Sequence, residues 1–402
     1  MQTRLLPAIL ATPQGQEADR ILRSCVHCGF CTATCPTYQL LGDELDGPRG
    51  RIYEIKMALE GQAVSRHTQT HLDRCLTCLN CETTCPSGVQ YHRLLDIGRA
   101  FVEQRVSRTP LQQVQRWLLR KLLPYSRRIG PLLKLAQSCK PLLPTSLVNK
   151  IPARQSPLSA ATESHARKML MLSGCVQPAM TPRTNQATAL VLDKLGIEII
   201  EARQAGCCGA LSHHLNATQE AQHFMRNNID AWWPYIEQGI EAIVINASGC
   251  GAMLKQYGYH LQHDPAYADK AARVAELARD LCEVLTQEDM RKLRNGSQRT
   301  IAFHSPCTLQ HAQQLAGRVE SLLTTAGFTL VPVQDSHLCC GSAGSYSILQ
   351  PAIANQLKQQ KLQQLQAHDP ELIVTANIGC QLHLQSEAAV PVKHWIELFV
   401  PE

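Results

Sequence analysis

The chain has 402 residues, enough for two or three domains, with 44% hydrophobic residues, as in an ordinary soluble protein, and a modest net charge of +6. Its 18 cysteines are far too many for packing alone, and their regular arrangement points to metal rather than disulfides, hence to a reducing compartment. No basic, apolar and cleavage pattern opens the chain and no apolar run approaches the roughly 18 residues of a membrane span, so neither a signal peptide nor a transmembrane helix is expected.

Residues 1 to about 24 read as a lead-in, with a short helix over Glu17–Arg23 delivering Cys25. Two copies of one pattern, CxxCxxCxxxCP, then follow: Cys25, Cys28, Cys31, Cys35 and Pro36, and Cys75, Cys78, Cys81, Cys85 and Pro86. Three thiolates separated by residue pairs can wrap a tight loop around one face of an iron-sulfur cube while backbone N–H groups turn toward its sulfides, and the proline turns the chain away. Structural zinc also uses CxxC pairs, but as two well-separated pairs with no reason to repeat a third equally spaced thiol and a Cys-Pro. The pattern resembles that of two-cluster ferredoxins, in which the fourth cysteine of each run ligates the other cluster. That resemblance implies one 4Fe-4S cluster on Cys25, Cys28, Cys31 and Cys85, and a second on Cys75, Cys78, Cys81 and Cys35.

Between the two runs lie 39 residues, with a turn at Gly47-Pro48-Arg49-Gly50 and a helical pattern at Ile52, Ile55, Met57, Ala58 and Leu59. An insert of this length points to a helical ferredoxin module, of the kind found in respiratory iron-sulfur subunits. A helix is expected from Tyr91 to Val106. From Gln104 to Thr162 there is no acidic residue, whereas Arg105, Arg108, Arg116, Arg120, Lys121, Arg127, Arg128, Lys134, Lys140, Lys150 and Arg154 all fall there, so the remainder is net acidic. Trp117–Tyr125 and Pro131–Ala136 read as short amphipathic helices broken by proline. Two readings stand: they pack on the protein or a partner, or residues 105–154 rest on anionic lipid headgroups. Pro141 to Ser164 reads as a linker.

The remainder is an internal repeat. Cys175 is matched by Cys307, Cys207-Cys208-Gly209 by Cys339-Cys340-Gly341, and Cys250 by Cys380, with 32 residues from first cysteine to pair in both copies and 42 or 40 from pair to last cysteine. Each copy alternates strands and helices, with strands at Lys168–Leu172, Ile197–Ile200 and Glu241–Ile245, then Ile301–Phe303, Phe328–Val331 and Glu371–Val374, and helices at Ala187–Leu195 and Gln219–Trp233 in the first copy. Such alternation implies a parallel sheet, with the cysteines beyond the carboxyl ends of its strands.

Within the repeats, Cys175, Cys207, Cys208 and Cys250, and Cys307, Cys339, Cys340 and Cys380, are candidates for metal or redox chemistry. Adjacent cysteines diverge too far for one tetrahedral ion but suit two neighbouring irons of an irregular cluster; small buried side chains or a vicinal disulfide are the other readings. Gly206, Gly209, Gly249, Gly341 and Gly379 permit close approach to such a group. Cys139 and Cys282 have no counterpart and read as structural. His213, His214, His304, His337 and His383 lie near the cysteines and read as surface or supporting residues. There is no G-x-G-x-x-G after a strand, no P-loop and no nucleophile elbow, so a flavin or nicotinamide, where one is needed, belongs to a partner.

Two ferredoxin runs followed by two Cys/Cys-Cys-Gly/Cys repeats resemble the iron-sulfur subunits of glycolate oxidase, of anaerobic glycerol-3-phosphate dehydrogenase and of the heterodisulfide reductase group. The stretches Asp46-Gly-Pro-Arg-Gly-Arg-Ile52 and Cys340-Gly-Ser-Ala-Gly-Ser-Tyr346 are most similar to the glycolate oxidase family. The resemblance implies a multidomain fold, an α-helical ferredoxin domain (1–104), basic helices and linker (105–164), and a duplicated α/β cysteine-rich domain (165–290 and 291–402). It further implies two 4Fe-4S clusters, FAD on partner dehydrogenase subunits of a hetero-oligomer, a quinone or other non-oxygen acceptor, no nucleic-acid partner, and peripheral attachment to the cytoplasmic face of a bacterial inner membrane. A lactate or glycerol-3-phosphate complex, a thiol/disulfide catalytic subunit, and a docking scaffold are the alternatives. The heterodisulfide reductase pattern ends in CxxC, whereas Met253 and His383 stand at the corresponding positions here; a further cluster in the repeats is an expectation with that departure.

Overall fold

A computed structural model describes residues 1–142, 144, 148, 151–159, 164–293 and 299–401; Lys150 and parts of the expected linker lie outside them. The chain divides into two compact units, Met1–Arg116 with His337–Lys361, and Trp117–Ser336 with Leu362–Glu402.

The first unit is helical. Helices Pro13–Ser24, Pro48–Leu59, Arg66–Asp73 and Tyr91–Glu103 place Ile21, Leu22, Ile55, Leu59, Leu72, Leu94 and Leu95 in one core. Each such side chain contributes roughly 1.5–3 kcal/mol by leaving water. Gly98 lets two of these helices touch, because a Cβ there would come within 2.5 Å of Ile55. The expected Gly47–Gly50 turn is instead the helix start: Pro48 occupies the first turn, where its missing N–H has no intrahelical partner to lose. The helix expected to reach Val106 ends at Glu103.

The basic stretch forms two helices, Pro110–Leu122 and Ser126–Ser138. Pro131 does not break the second but lies inside it on an exposed position, where it costs one hydrogen bond.

In the second unit two four-stranded parallel sheets share one strand order, β2-β1-β3-β4 and β6-β5-β7-β8. The strands are β1 Arg167–Met171, β2 Ile197–Ile200, β3 Ile243–Ile245, β4 Ala278–Asp280, β5 Thr300–His304, β6 Thr329–Leu330, β7 Leu372–Thr375 and β8 Val392–His394. Alternate residues serve opposite faces: Met169 and Val244 join a core with Ile301, Phe303, Val374 and Trp395 of the second copy, while Leu170, Ile243 and Ile245 join Trp232 and Tyr257. β4 and β8 are not anticipated from sequence. Each has three residues with a polar end that turns to capping: Asp280 accepts from Cys282 N–H at 3.1 Å and His394 Nδ1 from Ile396 N–H at 3.3 Å.

Candidate iron-sulfur site

The two cysteine runs of the first unit fold alike. His27 (φ 59°) and Gly29 (φ 86°) flank Cys28 in left-handed conformation, and Thr77 (φ 53°) and Leu79 (φ 63°) flank Cys78 in the same way. Left-handed backbone at a threonine and a leucine costs on the order of 1–2 kcal/mol each, so the loop shape rather than the residue preference dictates it. The next cysteine of each run rides a single helical turn, Phe30–Ala33 or Asn80–Thr83, and Pro36 opens a helix after Cys35.

These loops wall two recesses. The first, about 450 Å³, is lined by Cys25, Cys28, Cys31 and Cys85 together with Pro48, Arg49, Ile52 and Tyr91; Cys81 also reaches it. The second, about 320 Å³, is lined by Cys35, Cys75, Cys78 and Cys81 with Pro48, Arg51 and Tyr91. The last thiol of each run thus stands among the first three of the other. Burial and the neighbouring Cys25 and Cys85 push the Cys31 thiol up to about 11, and burial among Cys78 and Cys75 pushes Cys81 up as well. Thiols crowded this way do not ionise together unaided; bound iron would supply the missing positive charge. Donor type and donor number fit one 4Fe-4S cluster per recess.

The stretch Asp46–Arg51 builds the wall of both. Arg51 is 1% exposed; its Nη1 donates to Thr37 Oγ1 at 3.2 Å, and that hydroxyl lies 3.3 Å from Cys35 Sγ. Arg51 Nε donates to the His71 carbonyl at 2.8 Å. Burial opposes its charge, but Cys75, Tyr91, Cys35 and Asp46 outweigh that and hold the guanidinium protonated. Tyr91 Oη donates to Cys75 Sγ at 3.6 Å. Neither Arg51 nor Tyr91 is among the residues expected from sequence, because neither spacing nor type marks an arginine or tyrosine as a neighbour of sulfur.

In the first repeat the Cys207 thiol interacts with those of Cys175 and Cys208, and Cys208 with that of Cys250, so the four thiols gather beyond β1, β2 and β3. That interaction depresses the Cys208 thiol and raises those of Cys207 and Cys250. Asn228 clamps the loop, accepting from Gly206 N–H at 2.8 Å and donating to Cys207 O at 2.9 Å, while Tyr257 Oη donates to Cys208 O at 2.9 Å. In the second repeat Cys307 and Cys380 follow β5 and β7, with Asn377 Nδ2 donating to Cys380 Sγ at 3.6 Å. Cys339 and Cys340 belong to the His337–Lys361 segment of the first unit. Both Cys-Cys-Gly turns share one geometry: the N–H of Gly209 and of Gly341 donates to Cys207 or Cys339 Sγ at 3.4 Å. Cys282 is fully buried, its thiol pushed far up by burial and the adjacent Asp280.

Four cations of the basic stretch are engaged by carboxylates. Arg108 meets Asp73 and Glu103, each at 2.6 Å, and Arg116 meets Asp73 at 3.2 Å in the first unit; in the second, Arg120 and Lys121 share Glu220 at 2.7 and 3.4 Å. The Ser126–Ser138 helix buries Ile129 and Leu133 but exposes Leu132 (52%) and Leu135 (63%). Among the described residues no helix is long and apolar enough to cross a membrane.

Residues 21–89 match the 4Fe-4S dicluster domain, and residues 169–255 and 301–385 match the cysteine-rich domain known as CCG. The chain is 55% identical over 399 residues to the glycolate oxidase iron-sulfur subunit of Escherichia coli K12, covering 99% of this chain and 98% of that one. It is 27% identical over 395 residues to the probable glycolate oxidase iron-sulfur subunit of Bacillus subtilis 168, covering 90% and 88%. Lactate utilization protein A of Geobacillus thermodenitrificans is 26% identical over 225 residues, 54% of this chain and 90% of its own. Two cysteine recesses, a duplicated cysteine-rich fold and end-to-end similarity converge on one conclusion: the chain belongs to the family of glycolate oxidase iron-sulfur subunits.

Proposed function

We propose that this chain is the electron-transfer subunit of a complex that oxidises glycolate to glyoxylate on a flavin held by a partner subunit. Cys25, Cys28, Cys31 and Cys85 hold one 4Fe-4S cluster, and Cys35, Cys75, Cys78 and Cys81 the other. Bound there, the clusters supply one-electron transfer between the flavin, which takes two electrons from the alcohol, and a quinone or other non-oxygen acceptor. The chain's own residues ligate, exclude water and fix charge beside the sulfurs. The observation that carries this reading is the pair of recesses, each lined by thiols drawn from both runs, the last of one run among the first three of the other. Glycolate is preferred to lactate because similarity to the glycolate oxidase subunit extends over the whole chain at twice the identity.

The cysteine-rich repeats form the exit side of this route. Supporting that role, Cys339 and Cys340 are carried by a segment packed on the second cysteine loop, with Tyr346 Oη donating to Arg74 O at 3.0 Å. Peripheral attachment to an anionic membrane is the localisation that the exposed Leu132 and Leu135, beside exposed Arg127 and Lys134, support.

Iron and acid-labile sulfide on anaerobically purified complex, with electron paramagnetic resonance of the reduced sample, test the reading. About eight iron per chain and two interacting cubane signals are expected; fewer than about four iron, or no interaction between signals, overturns it.

A further inference from the structure

We propose that Arg51 sets the reduction potential of the second iron-sulfur centre, the one walled by Cys35, Cys75, Cys78 and Cys81, and keeps that buried centre reducible. The inference rests on the ligand sets proposed above.

A cluster ligated by thiolates gains negative charge on reduction, and burial penalises that added charge. The two recesses differ in this respect. All four thiols of the second are buried, between 7% and 9% exposed, whereas in the first Cys28 is exposed and Cys31 and Cys85 are half-buried. Burial alone would therefore make the second centre the harder one to reduce, and an electron would stop at the first.

The wall stretch corrects the imbalance. Arg49 lines the first recess, but its side chain is 36% exposed and taken by Glu44 at 2.6 Å, so its charge is screened and matched. Arg51, two residues on, lines the second recess and is 1% exposed. Its carboxylate partner does not cancel it. Asp46 is fully buried, lies 3.4 Å from Arg51 Nη2, and is held more closely by Arg74 at 2.8 Å and His71 at 2.9 Å. One carboxylate facing two guanidinium groups leaves net positive charge beside Cys35. The Tyr91 hydroxyl adds a hydrogen bond to Cys75 Sγ, which also favours the more negative state of the sulfur.

The test is a potentiometric titration of the purified complex, followed by electron paramagnetic resonance, for wild type and for Arg51→Gln, Arg51→Lys and Asp46→Asn. In Arg51→Gln the reduction equilibrium of the second centre falls tenfold or more, a shift of about 59 mV or greater to lower potential, while the first centre moves far less. Arg51→Lys keeps most of the wild-type value. Asp46→Asn removes the counter-charge and moves the second centre the other way, a reversal of sign that loosened packing does not produce. Equal shifts of both centres, no shift, or Arg51→Lys moving as far as Arg51→Gln would overturn the proposal. Should Arg51→Gln lose its iron, Asp46→Asn decides alone: a rise supports the proposal and no rise rejects it. Two centres with unshifted potentials reject this inference and leave the ligand sets standing; a wild type without two centres removes the ligand sets and the inference together.

Discussion

Asn80 Nδ2, on the loop between Cys78 and Cys81, donates to the carbonyl of His337 at 3.1 Å and to that of Thr34 at 3.0 Å. One carboxamide thus ties the second cysteine loop to the residue before Cys35 and to the turn that carries Cys339 and Cys340. The two Cys-Cys-Gly copies share a local shape but not a neighbourhood, since Cys207 and Cys208 lie wholly within the second unit. Replacing Cys339 and Cys340 with serine should slow glycolate-driven acceptor reduction at least tenfold while cluster reduction by glycolate stays fast. The same change at Cys207 and Cys208 should leave a greater part of acceptor reduction. Rapid-freeze resonance set beside steady-state turnover separates the steps, and equal losses at both pairs would sink the assignment of an exit to the second repeat.

The crossed thiols make a sharper prediction at the clusters. If the last cysteine of each run serves the other run's recess, Cys35→Ser should weaken the signal of the buried centre that Cys75, Cys78 and Cys81 share, and Cys85→Ser that of the other. Both variants should retain about half of the iron, because in each the other cluster keeps all four of its thiols. Were each cysteine to serve its own run, the assignments would exchange; combining Cys35→Ser with Arg51→Gln identifies which signal belongs to which recess.

The glycine after each cysteine pair answers to backbone rather than to sulfur. Gly209 has φ of 89° and a Cβ there would lie 2.9 Å from Ala221 O; Gly341 has φ of 86° and a Cβ 2.6 Å from Ala354 O. Alanine at either position must bear the left-handed cost of about 1–2 kcal/mol and a backbone collision besides. Gly196, with φ of 80° and open space where its Cβ would be, bears only the first. Thermal unfolding should therefore rank Gly341→Ala and Gly209→Ala below Gly196→Ala. A Gly196→Ala as damaging as the other two would mean that the collision is relieved by the chain.

Much of this was legible beforehand because cysteine spacing carries chemistry directly: identical runs, a repeat with 32 residues between matched cysteines, and strands ending before them. What was not legible depends on side chains whose role comes from position alone. β4 and β8 are too short for a periodicity signal, and the residues that end them, Asp280 and His394, look like loop polar residues until they are seen capping the next turn. Asn228 and Tyr257 sit among apolar helix positions and reveal their purpose only through the carbonyls of Cys207 and Cys208. The basic stretch misleads by composition, since Arg108, Arg116, Arg120 and Lys121 serve internal carboxylates.

That pairing moves the membrane prediction away from those four cations. Leu132 and Leu135 share the outer face of the Ser126–Ser138 helix with exposed Arg127 and Lys134. Leu132→Glu with Leu135→Glu should reduce co-sedimentation of the complex with anionic vesicles at least tenfold while iron content holds. Reversing Arg120 and Lys121 instead should chiefly cost stability, through Glu220. Unchanged sedimentation of the double leucine variant would remove the lipid reading.

His394 gives the fold an acid limit independent of iron. Its ring is fully buried, Nε2 donating to Asn246 O at 2.8 Å and Nδ1 accepting from Ile396, so it joins the two repeats as a neutral imidazole. Burial pushes it down to about 3, against 6.5 for a free histidine. The unfolded chain therefore binds a proton below pH 6.5 that the folded chain refuses. The stability this ring contributes is complete above that pH and is lost as pH falls toward 3, at about 1.4 kcal/mol per pH unit. His394→Gln keeps a donor to Asn246 but has nothing to titrate, so it should begin less stable at pH 7.5 and lose about 1.4 kcal/mol less than wild type on reaching pH 5.5. Denaturant unfolding of both proteins at the two pH values reads the difference. Parallel losses would mean that the folded ring takes up its proton as readily as the unfolded one, and that burial does not hold the link between the two sheets as a neutral hydrogen bond.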